Sequence, residues 1–577
     1  MTRLRLVAMF RRSSIGNCAF SVVPITGSRS VTKLRGISSG IILTILVVGS
    51  VCLGGCGDGN DRTGEASSGS GSGPVAGGTA VVALSSDPDV LNPLIYNSSN
   101  AGRVYAEIHD GLTEMGEDLA YHPRIAESWE ISPDGRAVTY HLRPWRWSDG
   151  QPLTAGDVVS SFDLFTNPLV ASPRRGSFRD VLSAVALDSN TVRYELARPL
   201  PNPIQVTWHH ILPYHLTRGL DPANVREWAL NHQPLSSGEF SLENWAHNRT
   251  LSLVRNDYYP GTPALLDRVV FTILPEESSR LVALESGEVD LVDNVPPDAA
   301  RRLEESGKVR ITAVGGRRFY YLQWNFANPL FAGADIRKAL SLAIDRERMV
   351  ETLLLGFGSP ANGPILPAIW NHHESLAPDP FDPVRARRML AAAGWRDSDG
   401  DGVVEKDGVD FRFEILTKQG DPVRENGSVI LRENLKDIGV EVTILVLELA
   451  AGLDRLRSGR FDSYFGRLNA NLFGDPSGYV KSTAVEEFNN GHYANAQVDS
   501  LLTVALGTLD RAEALPVWME IQELLAADPP AAYLFYPENL VGIGLRLRDV
   551  RPHRLSPINN LAEWWIAPGD RKYKSGS

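Results

Sequence analysis

From Ala126 to Phe162 the chain reads AESWEISPDGRAVTYHLRPWRWSDGQPLTAGDVVSSF, and few backbones satisfy every local signal in it. Pro133-Asp134-Gly135 combines a fixed φ, a side chain that hydrogen-bonds its own backbone and a residue free to take positive φ, which is the chemistry of a reversal between two strands. After it Val138, Tyr140 and Leu142 alternate with Thr139, His141 and Arg143, the period of a strand with one buried face. Asp149-Gly150 turns the chain again. Thr154 then stands three residues before Asp157, a capping box with aspartate in place of glutamate, so a helix is predicted to begin at Ala155.

The order of these residues is also informative. Ala-Glu-Ser-Trp, Pro-Asp-Gly, Tyr-x-Leu-Arg and Trp-Ser-Asp-Gly-x-Pro-Leu-Thr-Ala-x-Asp-Val together resemble the signature of the peptide/nickel-type (family 5) solute-binding proteins that feed ATP-driven (ABC) importers. The resemblance continues through Gly287-Glu288-Val289-Asp290, Asp335 to Arg346 and Gly459-Arg460-Phe461-Asp462. It implies an α/β, bilobal periplasmic-binding-protein fold of the large three-subdomain type II variety, with mixed sheets and hinge strands. The expected division is a first lobe built from 78–111, a small subdomain 112–232, and 233–316. A second lobe, 317–536, follows, and 537–577 returns to the first.

The composition is that of a globular protein, neither disordered nor fibrous. A chain of 577 residues is too long for a single core. Its net charge of −12 argues against a nucleic-acid partner. Its three cysteines, Cys18, Cys52 and Cys56, all lie early, so a disulfide within the body is excluded.

Residues 1–55 read as a leader: Lys33 and Arg35 precede the apolar run that starts at Ile37, the pattern of an export signal. A start at Val31 would make that leader compact. Leu53-Gly54-Gly55-Cys56 resembles a lipobox, which implies lipidation of Cys56 and a membrane-anchored, extracytoplasmic (periplasmic) lipoprotein. The alternative is a plain membrane span of about 19 residues. The Gly/Ser-rich segment 56–77 is predicted to be a linker that holds the body about 25–30 Å from the bilayer.

Elsewhere the periodicity predicts strands at Thr79–Leu84, 251–259, 269–274 and 319–325. Val104, Ile108, Leu112 and Met115 share one helical face, and the family resemblance of Asp335 to Arg346 implies a continuous helix there. Asp382-Pro383 reads as a cap followed by proline at the first helical position.

The functional expectations follow from the resemblance. Asn97 and Ser98 would lie by the ligand, and Tyr320, Trp324 and Trp564 (or Trp565) would wall the cleft. Peptide-binding relatives place an aspartate four residues before the proline of an acidic-Pro turn, where it meets the peptide's α-ammonium. Here the turn is Asp475-Pro476, and the counted position is Leu472, next to Asn471. Arg467, Asn469 and Asn471 would suit an anionic or polyhydroxylated ligand, or simply satisfy loop backbone. Peptide is the leading ligand class, the ABC permease the expected partner, and the receptor a monomer.

Other constellations carry less. Asp397, Asp399, Asp401 and Gly402 copy half of a calcium loop, but position 12 is Gly408, so a polar turn is predicted. His209-His210 and His372-His373 are adjacent pairs that cannot share a face, and loop or surface positions are expected for them. No His-Glu-x-x-His, Gly-x-Ser-x-Gly or phosphate-binding loop occurs, so neither enzyme, cofactor nor metal site is expected. The rival readings are a non-transporting sensor or peptide-holding chaperone on the same fold and, more distantly, a hydrolase.

Overall fold

The strand Ala531–Gly544 is bonded along its length to four different strands, and this joins the two halves of the molecule. Its first part pairs antiparallel with Arg318–Trp324, Tyr320 opposite Phe535. Gly358–Pro360 pairs with its middle, Gly358 opposite Pro537. Its last part pairs with Val309–Gly315, from Gly315 opposite Glu538 to Val309 opposite Gly544. The chain thus crosses between lobes twice side by side, at Gly316-Arg317 and at Pro537. The computed structural model describes residues 73–573 apart from Glu486, so the leader, Cys56 and the linker as far as residue 72 lie outside the described residues. Among the described residues no helix is long and apolar enough to cross a membrane.

In the first lobe the strands run in the order Phe240–Ala246, Thr250–Arg255, Arg268–Ile273, Thr79–Leu84, Leu291–Val292 and Ala531–Gly544. Thr79–Leu84 is parallel to both its neighbours, Arg268–Ile273 and Leu291–Val292, which pair antiparallel with the strands beyond them, so the sheet is mixed. Both faces are covered. Val82, Phe240, Leu251, Phe271 and Trp564 share one core, and Val81, Leu284, Leu303 and Leu540 the other. A strand buried on both faces needs no polar alternation, which is why TAVVAL reads as an unbroken apolar run.

In the second lobe the order is Ala531–Gly544, Arg318–Trp324, Ser463–Asn469, Arg412–Lys418 and Glu441–Leu447, the last pair parallel. Tyr320, Leu322 and Trp324 face helices Ala334–Leu342, Arg346–Leu354 and Pro422–Lys436 in one core, and Phe319 and Tyr321 face Ile365, Ile369 and Tyr533 in another. A separate four-stranded antiparallel sheet, Ala126–Ile131, Ala137–Leu142, Thr191–Leu196 and Val181–Ala186, carries the opening signature. Its helix Ala155–Thr166 begins where the capping box requires: the Asp157 carboxylate accepts from the Thr154 N–H at 2.8 Å and from its hydroxyl at 2.9 Å.

Two helical expectations are corrected. The helix holding Val104 and Ile108 spans Ser99–Ile108 and stops there, because Gly111 bridges to His210 and draws the chain into extended structure. Leu112 therefore sits in a loop and Met115 in the strand Thr113–Met115. The continuous helix over 335–346 is two helices, Ala334–Leu342 and Arg346–Leu354. Asp345 breaks the run by capping the second, accepting from the Arg348 N–H at 2.9 Å.

The C-terminal stretch is fastened to the first sheet by one buried charge. Asp290 accepts from Arg546 Nε and Nη2, both at 2.5 Å, and from the Val81 N–H at 2.8 Å. Burial pushes the Asp290 carboxyl up, and the Arg546 guanidinium pulls it back only in part.

Candidate ligand cleft

The joint between the lobes is built on close backbone approach. A Cβ on Gly316 would lie 2.2 Å from the Pro537 carbonyl oxygen, so only glycine lets the two crossing strands run so near each other. Beside it the Ala470 N–H donates to the Arg317 carbonyl at 2.7 Å, which ties the end of Ser463–Asn469 to the joint.

Antiparallel pairing then sets Tyr320 opposite Arg467 and Arg318 opposite Asn469. Tyr320 is stacked on Phe535, centroids 4.7 Å apart, and its phenol lies near the Arg467 guanidinium. Burial pushes the Tyr320 phenol up, with the Asp421 charge adding to it. Asp421 caps the helix Pro422–Lys436 and pairs with Arg424 Nε at 2.9 Å, both side chains buried. Arg424 also donates to the Tyr464 hydroxyl at 3.2 Å. Arg467 lies 3.8 Å from the same carboxylate, with 40% of its side chain exposed. Arg318, exposed and near Tyr320, has no ion pair among the described residues.

Two guanidinium groups, Arg424 and Arg467, thus share one carboxylate, with the Arg318 charge nearby. The site carries a net positive charge at the edge where the lobes join, with the Arg467 guanidinium half exposed; Tyr320, expected to wall the cleft, is instead buried in the second-lobe core. Such a surface binds carboxylates, carbonyl oxygens or hydroxyl groups through charge-assisted hydrogen bonds.

The loop that follows is self-contained. The Asn469 carbonyl accepts from the Tyr479 hydroxyl at 2.6 Å. Asn471 Oδ1 accepts from the Phe473 N–H at 2.8 Å, which makes it a turn residue that satisfies local backbone. Leu472 is partly buried against the Phe319–Tyr321 core and offers no charge to an ammonium group.

The small subdomain and the second lobe meet across the joint. Leu119 packs against that same core. A cavity of about 170 Å³ has Leu200 and Val206 on one wall and Trp370, Phe473, Leu506 and Trp518 on the other. The Arg511 guanidinium lies over Trp370 at 5.1 Å. A larger open depression of about 520 Å³ lies at the opposite end of strand Arg318–Trp324. Its polar groups already have partners: Arg455 lies 3.4 Å from Glu414, and Asn328 donates to Asp462 at 2.9 Å.

The remaining site candidates fall elsewhere. Asn97 and Ser98 present their N–H groups to Asp89 at 2.8 and 3.3 Å. The Ser98 hydroxyl accepts from the Ala101 N–H at 2.9 Å, capping Ser99–Ile108, so both residues serve the loop itself. Trp324 and Trp564 are completely buried, Trp324 against Phe331 and Trp564 with its Nε1 donating to Asn560 at 3.0 Å. They are core residues and line no open wall.

The first histidine pair is also corrected. His209 and His210 are buried, His209 with Nε2 2.8 Å from the Tyr194 hydroxyl and Nδ1 2.9 Å from the His210 carbonyl. Asp397, Asp399 and Glu405 bring their carboxylates within 4.8 Å of one another in an exposed turn. There Asp397 accepts from the Gly400 and Gly402 N–H groups.

Sequence reasoning missed Asp421, Arg424, Tyr464, Trp370 and Trp518. Asp421-Pro422 repeats the cap-and-proline signal already read at Asp382-Pro383, so the first two were within reach. The tryptophans carry no periodic signal that separates cavity from core.

Two lobes that share strands, with a polar cluster at the joint and contact across it, define a solute receptor of the bilobal periplasmic-binding-protein class. The model of the bacterial extracellular solute-binding proteins, family 5 (middle segment) matches residues 120–490, and the chain belongs to that family.

Among curated relatives it is 28% identical over 542 residues to the oligopeptide-binding protein AppA of Bacillus subtilis, covering 91% of this chain and 98% of that protein. It is 24% identical over 503 residues to the glutathione-binding protein GsiB of Escherichia coli K12, covering 85% and 92%. The solved structure of AppA from Bacillus subtilis with a nonapeptide matches with a TM-score of 0.68 at 28% identity, covering 86% of this chain and all of that one. NikZ from Campylobacter jejuni with Ni(L-His) shares the fold, with a TM-score of 0.69 at 24% identity over 84% and 99% of the two chains. These relatives are binding proteins, not enzymes.

Proposed function

We propose that this protein is the receptor of an ATP-driven importer, anchored outside the membrane through a lipid on Cys56. It captures a peptide between its lobes and delivers it to the permease. The observation that carries the reading is the positive cluster of Tyr320, Arg467, Arg318 and Asp421 at the joint where the lobes share strands and meet. Alignment along nearly the whole of an oligopeptide-binding relative supports peptide as the ligand class.

The half-exposed Arg467 guanidinium holds a carbonyl or carboxylate oxygen of the peptide. No side-chain carboxylate stands at Leu472 to meet a free α-ammonium, so recognition runs through backbone and acidic groups instead of the amino terminus. A buried unpaired ammonium would be costly there.

Calorimetry on the full-length protein tests this, with a pentapeptide, its N-acetyl form, glutathione and a disaccharide as ligands. Acetylation is expected to change affinity less than about threefold, and Arg467→Ala to weaken it about 10- to 100-fold, the range for one charge-assisted hydrogen bond. Binding of the disaccharide with no binding of either peptide would overturn the reading.

A further inference from the structure

We propose that His232 and His247 form a surface site for a divalent transition-metal ion, with Asp87 orienting one of the two imidazoles. The proposal is independent of the peptide reading above. The three residues come from separate parts of the chain. Asp87 follows the strand Thr79–Leu84, His247 stands in the turn between Phe240–Ala246 and Thr250–Arg255, and His232 ends the segment that carries the four-stranded sheet. Sequence spacing does not reveal a pair that only folding assembles.

The chemistry starts at Asp87. Its Oδ1 accepts from Trp245 Nε1 at 2.9 Å, and its Oδ2 accepts from the Asn248 N–H at 3.1 Å and faces His247 Nδ1 at 3.0 Å. A carboxylate oxygen only accepts, so Nδ1 of His247 carries the proton and Nε2 of the neutral ring is left with a free lone pair. A carboxylate on the far nitrogen is the outer shell that fixes the tautomer and raises the basicity of a metal-binding imidazole. The ring is held further by Trp245, 4.2 Å away between centroids.

Both backbones are fixed as well. The Arg249 N–H donates to the Ala246 carbonyl at 3.0 Å and closes the turn that carries His247. His232 follows the buried Asn231, whose carbonyl accepts from the Leu91 N–H at 2.9 Å and whose Oδ1 accepts from Asn92 Nδ2 at 2.8 Å.

The spacing of the rings suits one ion. Two imidazoles bound at the tetrahedral angle by bonds of about 2.0–2.1 Å, each nitrogen about 1.1 Å from its ring centre, have centroids about 5.2 Å apart. Those of His232 and His247 are 5.4 Å apart, with the planes at 81°. The His232 imidazole has no hydrogen bond among the described residues, and rotation about χ2 turns either nitrogen toward His247. Both rings are exposed, so water completes the coordination. Imidazole pairs favour zinc and its neighbours in the first transition row, whereas calcium and magnesium take oxygen ligands. An ion held by both histidines ties the segment ending at His232 to the first-lobe hairpin, and it stabilises the fold by mass action.

The test is calorimetric titration of Zn²⁺ into the untagged, metal-free full-length protein. One ion per chain is expected to bind, and His232→Ala and His247→Ala are each expected to weaken that binding at least about 10-fold. Asp87→Asn keeps the shape of the side chain without its charge and should weaken binding about 10-fold, the lower end for an outer-shell partner. Zn²⁺ should also raise the thermal midpoint of the parent and leave that of His232→Ala unmoved. His232→Ala removes an exposed ring with no hydrogen bond among the described residues, so the variant is expected to fold as the parent does. Absence of Zn²⁺ binding by the parent, or an affinity within about threefold of the parent in either histidine variant, would overturn the site.

Discussion

Acidification should loosen the small subdomain through its buried histidines, and one substitution isolates the effect. His209 is enclosed by Phe162, Phe165 and Phe178, with centroid distances of 6.4, 5.6 and 6.0 Å. Its Nδ1 faces a carbonyl, which only accepts, so Nδ1 carries the proton and Nε2 accepts from Tyr194; the ring is neutral. His210 lies edge-on to Tyr105 and Trp208, at 4.8 and 4.9 Å. Burial pushes His209 down to about 4 and, with the nearby Arg174 charge, His210 down to about 3. His109, stacked on Tyr105 at 4.0 Å, is lowered by burial in the same direction.

An unfolded histidine titrates near 6.5. The unfolded chain therefore takes up protons first as pH falls. The stabilisation is complete above about pH 6.5 and is lost progressively toward pH 4 and 3. At pH 5 the loss is about 2 kcal/mol for each of His209 and His210, against a typical total of about 5–15 kcal/mol. Asp110, pushed up to about 7 by burial, tilts the total slope the other way. The comparison between two proteins therefore carries the test.

His210→Phe keeps a ring, and the Nδ1 it removes is buried without a partner. Urea unfolding of wild type and variant at pH 7.5 and 5.0 should show the stability difference moving by about 2 kcal/mol in the variant's favour at the lower pH. A difference that stays constant within about 0.5 kcal/mol would refute the reasoning.

Two further perturbations test the joints of the fold. Asp290→Ala leaves Arg546 buried without its carboxylate and should cost about 3–5 kcal/mol by thermal unfolding, whereas an unchanged midpoint would mean the C-terminal return is held by other contacts. Gly316→Ala puts a methyl group 2.2 Å from the Pro537 carbonyl oxygen, so the crossing strands must part. A loss of about 1–3 kcal/mol in urea unfolding is expected, together with weaker ligand binding, and wild-type values for both would show that the approach is not needed.

Local chemistry made much of this fold legible. Thr154, Asp157 and Asp382 are caps whose partners lie three residues away, so spacing alone reports them. The double-sided burial of Thr79–Leu84 shows in its continuous apolar run. What sequence did not reveal depends on contacts distant along the chain. Trp324 and Trp564 look like cleft aromatics until Phe331 and Asn560 are placed beside them. His209 and His210 look like loop residues until the Gly111 bridge turns their segment inward and Tyr194 and Tyr105 close over it. The site was legible at Arg467, whose partner Tyr320 was named for a different reason, and not at Arg424, which needs both the Asp421 cap and the neighbouring strand. The break at Asp345 shows that a cap signal inside an apolar pattern outranks the pattern.

Native mass spectrometry of the receptor, purified gently from its own host, tests the central claim most directly. A set of co-purified peptides, released on unfolding, is the expected result. A single sugar, organic acid or metal chelate in their place would contradict it.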